Sequence, residues 1–268
     1  DNRISVKDLY LQISSMGDEK PGIVEGNDLP DFNPDDEYLK EVKSPIFYAV
    51  QKNINIQTGQ PTVMEFDMQR ISQRINIIFN IRTEGNIKKE DLSAPIIELS
   101  GTCGRFNISD ACLDTTRLYR TVHQVQPDEF TQTGEGTYRC AVHFHTLGII
   151  PSAAKGHLNG PGILQVALQV STPQLDAAGA PVLDADGNPV KNSRYIYGAI
   201  NPYDELTAAQ LIEVRDGKIY LRYSKEDVNI EITTPLVIKA DQIVPNDTGM
   251  GWQPHDPTNP DDDIIIEI

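Results

Sequence analysis

The feature that most constrains the fold is a two-residue alternation of apolar and polar side chains in Gln73–Arg82. Isoleucine or phenylalanine recurs at every second position, and arginine or asparagine stands between most of them. Successive side chains of a β-strand point to opposite faces of a sheet, so this pattern predicts a strand with one buried face and one wet face. The core positions that it predicts are Ile75, Ile77, Phe79 and Ile81.

The same alternation recurs along the chain, in Thr62–Met68, Tyr138–Thr146, Leu164–Val170 and Val228–Ile232. The sequence lacks the amphipathic segments that would cross over a sheet as helices, and the continuous apolar runs of a buried parallel sheet. It therefore predicts an all-β fold built from antiparallel sheets, with far less helix than the usual one-third. The core positions predicted in the second half of the chain are Leu164, Val166, Leu168, Ile230 and Ile232.

The length of 268 residues suits either two domains of ordinary size or a single large β domain. The segment Ile149–Gly162 is rich in proline, glycine, alanine and serine, and it is the best candidate for a linker. We therefore predict two antiparallel β-sandwich domains in tandem, residues 1–152 and residues 153–268, which meet at this segment.

The charge of the chain excludes two classes of partner. With 39 acidic and 23 basic side chains, the net charge is −16. Nucleic acids and anionic membrane surfaces both require basic patches, so neither is expected as a partner.

The sequence contains no apolar run of the roughly 20 residues that a transmembrane helix needs. It begins at Asp1 rather than at methionine, so we expect that an N-terminal piece with any targeting signal has been removed.

Candidate metal ligands are few, and each has a simpler interpretation. His143 and His145 would point the same way from one strand, but the sequence supplies no obvious third ligand. Asp184–Asn188 resembles a calcium loop, yet it lacks the glycine and glutamate positions of an EF-hand, which favours a hairpin turn. Asp261–Asp263 is interpreted as a solvated charge run, with calcium as the alternative. We predict no metal site and no cofactor.

No catalytic residue is predicted either. Cys103, Cys112 and Cys140 lack the spacing of metal-binding cysteines, and no local signature joins any of them to a histidine base. A Cys103–Cys112 disulfide stays open as the alternative to buried thiols, should the protein be exported. Gly101–Gly104 is expected to form a turn rather than a phosphate-binding loop, because no lysine or long helix follows it. Trp252 is expected to anchor a C-terminal loop, with sugar stacking as its alternative role.

Four parts of the chain, taken in order, resemble the fimbrillin-like proteins of Bacteroidales, which are type V pilus subunits and their lipid-anchored or tip relatives. The similar segments are Ser44–Ala49 with Pro61–Met68 and Arg70–Ile81; Ile97–Thr102 with Phe106–Ala111; Phe144–Ile149 with Leu164–Val170; and Val228–Pro235 with Gly249–Trp252 and Asp263–Ile268. The resemblance spans most of the chain, and it rests on the order of these segments.

This resemblance implies that each domain is a transthyretin-like sandwich and that the protein is a non-enzymatic structural or adhesive component of a bacterial surface pilus. Its partners would be other pilus subunits, joined by strand addition through Val6–Ile13 or Asp263–Ile268, and a host or bacterial surface ligand. Export as a lipoprotein precursor would place it at the cell surface, in the outer membrane or fimbrium, with a lipid anchor outside this chain. Two alternatives remain, a surface glycan-binding β-sandwich lipoprotein and a secreted β-sandwich enzyme with carboxylates converging in a cleft.

Overall fold

The computed structural model describes residues 4–15, 38–40, 42–56, 58–85, 87–158, 160–222, 227–240, 242–246 and 250–255. Within them the strands are β1 (Ile4–Lys7), β2 (Tyr10–Ile13), β3 (Phe47–Tyr48), β4 (Gln69–Arg70), β5 (Gln73–Glu84), β6 (Ile96–Asn107), β7 (Cys112–Gln124), β8 (Phe130–Gly134), β9 (Thr137–Thr146), β10 (Leu164–Pro173), β11 (Lys191–Ile200), β12 (Ile212–Arg215), β13 (Lys218–Leu221), β14 (Asp227–Lys239), β15 (Gln242–Val244) and β16 (Gln253–Pro254). The helices are the 3₁₀ helix Lys89–Asp91 and α1 (Tyr203–Ala209).

The strands form two large sheets and a separate two-stranded sheet of β3 and β4. Sheet A has the order β12–β13–β7–β6–β10–β11–β16, and the β1–β2 hairpin joins it through β2, which pairs with β6. Sheet B has the order β15–β14–β5–β9–β8. The prediction of an all-β fold is confirmed, since the one α-helix of the described residues has only seven residues. None of the described helices has the length and apolarity to span a lipid bilayer.

The largest apolar core cluster of the described residues lies between the two large sheets. Sheet B contributes the inward side chains of β5, β9 and β14, and sheet A contributes those of β6, β10 and β11. Every core position predicted from the alternation is at most 2% exposed, namely Ile75, Ile77, Phe79, Ile81, Leu164, Val166, Leu168, Ile230 and Ile232. The alternating segments therefore bury the faces that their sequences predict.

Strand pairs in both sheets cross the predicted boundary between residues 1–152 and 153–268. In sheet A, β6 from the first half pairs with β10 from the second, with Leu99 opposite Leu164. In sheet B, β5 pairs with β14, with Ile77 opposite Ile230. Each of the two large sheets thus contains strands from both sides of the predicted boundary. Alternation identifies a strand and its buried face, but it does not specify which strand lies beside it.

One strand pair also departs from the predicted antiparallel arrangement. β5 and β14 run parallel, from Arg74 opposite Asp227 to Glu84 opposite Lys239. The other ladders of the two sheets are antiparallel. A parallel pair needs a long connection, and here that connection contains the strands from β6 to β13.

The predicted linker Ile149–Gly162 packs against β6. The Ile150 N–H donates to the Gly101 carbonyl (2.9 Å), and the Gly162 N–H donates to the Ser100 carbonyl (3.1 Å). Gly101 allows this approach because its φ is +79° and because a Cβ atom there would lie 2.6 Å from the Gly162 nitrogen. The turn predicted at Gly101–Gly104 is therefore a bulged part of β6, where the register against β7 is irregular.

Candidate binding surfaces

The largest concentration of exposed apolar side chains lies near the N-terminus of the described chain. Of the fifteen large hydrophobic residues that are exposed in the described residues, eleven fall within residues 4–68. Three of them, Ile4, Val6 and Leu9, belong to the β1–β2 hairpin. The other eight lie in residues 47–68, which leave the sandwich at the short β3–β4 ladder and return to it there. We call residues 49–68 the apolar arm.

The sequence predicts a strand over residues 62–68 of this arm, and here the structure differs. The described residues of the arm contain no strand, and from Val50 onward every one of them is exposed. Met64, Phe66 and Met68 alternate with acidic residues as predicted, but they are 44%, 51% and 57% exposed. The arm therefore carries the side-chain pattern of a strand without a neighbouring strand in the described chain.

The base of the arm is part of the folded sandwich. The Ile46 N–H donates to the Ser72 hydroxyl (2.9 Å), and the Ile71 N–H donates to the Ile46 carbonyl (2.8 Å). Ile71 is fully buried, and Tyr48 packs edge-on against Phe106 with 5.2 Å between ring centroids. These contacts fix the two ends of the arm while its apolar side chains face solvent.

Among the described residues, part of β11 has no neighbouring strand on one side. β11 pairs with β10 along its whole length, but it pairs with β16 only at Gly198 and Ala199. Next to this short ladder, no described strand lies beside Ser193 and Tyr195 on the same side. A groove of about 280 Å³ opens here between the edges of the two sheets, and Ile243 of β15 is among its lining residues. Open edges of this kind pair readily with another strand.

Two tyrosines of β11 stand side by side at the same groove. The rings of Tyr195 and Tyr197 are nearly parallel, with 6.4 Å between centroids and 18° between planes. Both side chains are half-buried, and burial raises the pKa of Tyr195. Parallel aromatic faces with hydroxyl groups at their edges can stack on a flat apolar ring face and donate hydrogen bonds to its substituents.

The predicted histidine pair belongs to a larger cluster. The ring of His143 lies 5.7 Å from that of His145 and 5.8 Å from that of His123 on β7. One Glu129 oxygen lies 2.7 Å from His123 Nε2, and the other lies 3.5 Å from His143 Nδ1. His145 Nδ1 donates to the Val42 carbonyl (2.8 Å). The described residues contain no group of three or more His, Cys, Asp or Glu side chains arranged to hold a metal ion.

The electrostatics of this cluster disfavour a charged imidazole at His143. Burial lowers the pKa of His143, and the nearby Arg74 guanidinium lowers it further, although the Glu129 carboxylate acts in the opposite direction. Sequence reasoning missed His123 and Glu129, which reach His143 from another strand and from the loop after it. No local spacing in the sequence could have predicted that contact.

The acidic segment 184–188 closes a turn, as predicted. Asp184 Oδ1 accepts hydrogen bonds from the backbone N–H groups of Asp186 (2.9 Å) and Asn188 (2.8 Å). The bond from the Asn188 backbone is the main cause that lowers the pKa of Asp184. Asp176 closes a matching turn eight residues earlier through the backbone of Ala178 and Ala180. The Asp184 carboxylate therefore caps the backbone. The other candidate calcium segment, residues 261–263, lies outside the described residues.

All three cysteines are free and buried. Cys103 lies opposite Leu118 and Cys112 lies opposite Asn107 in the β6–β7 ladder, so the two thiols are not placed to form a disulfide. Burial raises the pKa of Cys103 to about 12, and it does the same for Cys140. Both groups are therefore protonated thiols at neutral pH and poor nucleophiles.

Trp252 anchors the C-terminal loop, as predicted. Its indole is 1% exposed, and its ring packs against Phe79 with 5.2 Å between centroids. The indole Nε1–H donates to the Thr234 carbonyl (3.0 Å). The alternative role in sugar stacking is wrong, because a ring buried in the core cannot meet a sugar.

A cleft of about 600 Å³ lies beside the 3₁₀ helix, and three carboxylates line it. Each contacts a cationic side chain: Glu84 with Arg82 (3.2 Å), Glu90 with Lys88 (3.9 Å) and Asp91 with Lys191 (2.6 Å). The charges of this cleft are therefore balanced within the described residues.

No protein-family model matches the chain, and no curated protein matches it. Among solved structures it is similar to a candidate adhesin from Bacteroides ovatus, with 8% identity and a TM-score of 0.38 over 90% of this chain and 71% of that chain. A TM-score of this size does not establish a shared fold.

Proposed function

We propose that this protein is a non-enzymatic structural or adhesive component of a bacterial surface pilus, as a fimbrillin-like subunit, anchor or tip protein. The observation that carries the proposal is the concentration of exposed apolar side chains in residues 4–68 of a sandwich that also has an open strand edge. Large contiguous apolar patches are rare on monomeric proteins, and they mark sites for partners. Such a surface suits a protein whose work is to bind other proteins.

Strand addition is the proposed mode of assembly. A segment of one subunit would pair with an open edge of the next, so that the backbone ladder supplies affinity and alternate side chains supply register. Residues 263–268, which lie outside the described residues, are the proposed donor because Ile264, Ile266 and Ile268 alternate along them. The other terminal candidate, Val6–Ile13, supplies strands that pair within sheet A, which makes it the weaker donor.

The remaining parts of the proposal concern location and chemistry. We propose export as a lipoprotein precursor to the outer membrane or fimbrium, and adhesion to a host or bacterial surface ligand. Both are supported by the four parts of the chain that resemble fimbrillin-like proteins in the same sequence order. The absence of enzymatic activity is supported by the raised pKa values of Cys103 and Cys140 and by the balanced charges of the cleft beside the 3₁₀ helix.

Deletion of residues 263–268 in the source bacterium tests the proposal. If the segment is a donor strand, the truncated protein keeps its thermal unfolding midpoint and disappears from polymers sheared off the cell surface. Ile266→Asp should reproduce this loss, and Glu267→Gln is the matched control that should assemble normally. If the segment belongs to the sandwich of its own chain, the midpoint falls, since each buried isoleucine contributes about 1.5–3 kcal/mol. Unchanged stability together with unchanged assembly would remove the segment from the proposal.

A second candidate function, a surface glycan-binding lipoprotein, is favoured by the parallel rings of Tyr195 and Tyr197. A glycan array with purified protein tests it. Binding to a defined glycan should be lost in Tyr195→Ala and in Tyr197→Ala, and Tyr220→Ala on β13 should bind as the wild type does. Failure of the wild type to bind any glycan would count against this function.

A further inference from the structure

We infer that the apolar arm binds a second copy of this chain, and that its residues 62–68 add as a strand to the β11 edge of that copy, beside Ser193 and Tyr195. The inference rests on the proposed role in assembly, and it supplies that role with a donor and an acceptor which both lie within the described residues.

The donor is the segment whose sequence predicts a strand but which has no partner strand among the described residues of its own chain. Of the alternating segments predicted as strands within the described residues, four are paired strands of the sandwich, in β5, β9, β10 and β14. Residues 62–68 are the exception, since they have no partner strand and leave Val63 86% exposed and Phe66 51% exposed. A segment with this pattern buries one face when it joins the edge of a sheet.

The acceptor is identified by comparing β11 with two other strands that are only partly paired on their outer sides. The Trp252 indole occupies part of the outer edge of β14, because it donates a hydrogen bond to the Thr234 carbonyl. The outer edge of β7 is occupied where the Leu39 N–H donates to the Arg120 carbonyl (2.9 Å). The β11 edge differs, because a groove of about 280 Å³ lies along it. This edge therefore has room for added side chains.

The alternation of the arm suits this edge. Ile196 of β11 points into the core of the sandwich, and its neighbour Tyr195 points to the outer face of sheet A. A strand added here would place one set of its side chains beside Ile196 and Ile243 and the other set beside Tyr195. Met64, Phe66 and Met68 are the apolar set that fits the core side, and the acidic residues between them would remain at the outer face.

The C-terminal continuation of the same chain is the competing occupant. β16 runs antiparallel to β11 with Gly198 opposite Pro254, so residue 257 would stand opposite Tyr195 if that register continued. Position 257 is a proline, which has no N–H to donate to the edge. The edge at Tyr195 is therefore better completed by a segment with its backbone donors intact, as residues 62–68 have.

Donor and acceptor are different surfaces of one chain, so the contact is head-to-tail. Head-to-tail contacts propagate from copy to copy when the rotation between copies does not close a ring. The arm would thereby link copies into a chain, as assembly into a polymer requires.

Disulfide trapping between variants that each carry one added cysteine tests the contact directly. Glu65→Cys and Asp67→Cys place a thiol on the arm, and Ser193→Cys places one on the β11 edge, while the three native cysteines are buried. Oxidation of an arm variant mixed with Ser193→Cys should yield a mixed dimer on non-reducing gels. Val214→Cys, on the exposed edge strand β12, is the control acceptor and should give none. Absence of the mixed dimer, or equal trapping by Val214→Cys, would overturn the inference.

Self-association of the full chain gives a second measurement. Phe66→Asp should weaken the apparent association constant at least about tenfold in sedimentation experiments, as loss of an aromatic anchor commonly does. Its thermal midpoint should be unchanged because the side chain is 51% exposed in the single chain. Val214→Asp is the matched control and should associate as the wild type does. A wild type that stays monomeric at all concentrations, or a Phe66→Asp variant that associates normally, would refute the role of the arm.

Removal of residues 256–268 separates this inference from the proposed function. Trapping between the arm and Ser193→Cys that persists without the tail supports the arm. If the tail itself occupies the β11 edge, its removal abolishes association, and then the inference fails while assembly through the C-terminal segment stands. If the arm is trapped but deletion of residues 263–268 leaves surface polymers intact, the terminal donor fails and the arm remains the donor.

Discussion

Asn76 on β5 donates a side-chain hydrogen bond to Asn229 on β14 at 2.9 Å, although 153 residues separate them in the sequence. The bond lies on the outer face of the parallel pair, and the neighbouring Ile77 and Ile230 face the core from the same two strands. Sheet B therefore cannot form without residues from both halves of the chain.

A fragment of residues 1–152 should for this reason be unfolded. It would lack β14 beside β5 and β10 beside β6, and the inward faces of β5 and β9 would stay exposed to water. We expect a far-ultraviolet circular dichroism spectrum of a disordered chain and no cooperative urea transition, where the full chain shows one. A cooperative transition in the fragment would contradict this prediction, because the fragment would then fold without β10 and β14.

Replacing Gly101 by alanine should destabilise the protein by about 2–5 kcal/mol, from the left-handed backbone and from overpacking. The added methyl group would lie 2.6 Å from the Gly162 nitrogen and 2.7 Å from the Ile150 carbonyl oxygen. Gly217→Ala is the control, because its φ of +73° is similar but no atom lies within 4 Å of the added carbon. Urea denaturation measures both, and equal losses would show that the packing of the 149–162 segment against β6 is unimportant.

Trp252→Phe should cost about 1–3 kcal/mol, because the Thr234 carbonyl loses its buried donor. The smaller ring also leaves space beside Phe79, which adds to the loss. Circular dichroism should follow the unfolding, since the substitution removes the single tryptophan of the chain. Tyr195→Phe, a half-buried site, should stay within about 0.5 kcal/mol of the wild type. A neutral Trp252→Phe would mean that the C-terminal loop is not anchored by this bond.

Stability should fall as the pH drops below the ordinary histidine pKa of 6.5, with His143 as one cause. Burial and Arg74 lower the pKa of His143 in the folded protein, so the unfolded chain binds its proton more readily. The stability that the neutral His143 contributes is thus present above that pH and is lost as protonation begins. The thermal midpoint should fall less between pH 7.5 and 5.5 in His143→Gln, whereas the exposed His157→Gln should behave as the wild type. An identical decline in both variants would exclude His143.

The native protein should contain no rapidly reacting thiol at pH 8, because all three cysteines are buried and the pKa of Cys103 and of Cys140 is about 12. Ellman's reagent should react with all three after unfolding in urea. A fast-reacting thiol in the folded protein would contradict the burial of these side chains.

The local parts of this structure could be predicted from the sequence. The alternation of Ile75, Ile77, Phe79 and Ile81 was sufficient for a strand and its buried face, because the two-residue period of a strand is a property of neighbouring residues. The turn at Asp184 was predictable for the same reason, since its carboxylate bonds backbone groups two and four residues further on. The anchoring role of Trp252 followed from a single large apolar side chain in a loop of small residues.

Only the tertiary structure decided which segments meet. Backbone hydrogen bonds between strands are the same whatever the side chains are, so alternation alone could not place β14 beside β5 or β10 beside β6. The meeting of His143 with His123 and Glu129 depends on the same long-range pairing. Residues 62–68 show the converse case, because their sequence determines the pattern of a strand, but no described strand lies beside them to pair with it.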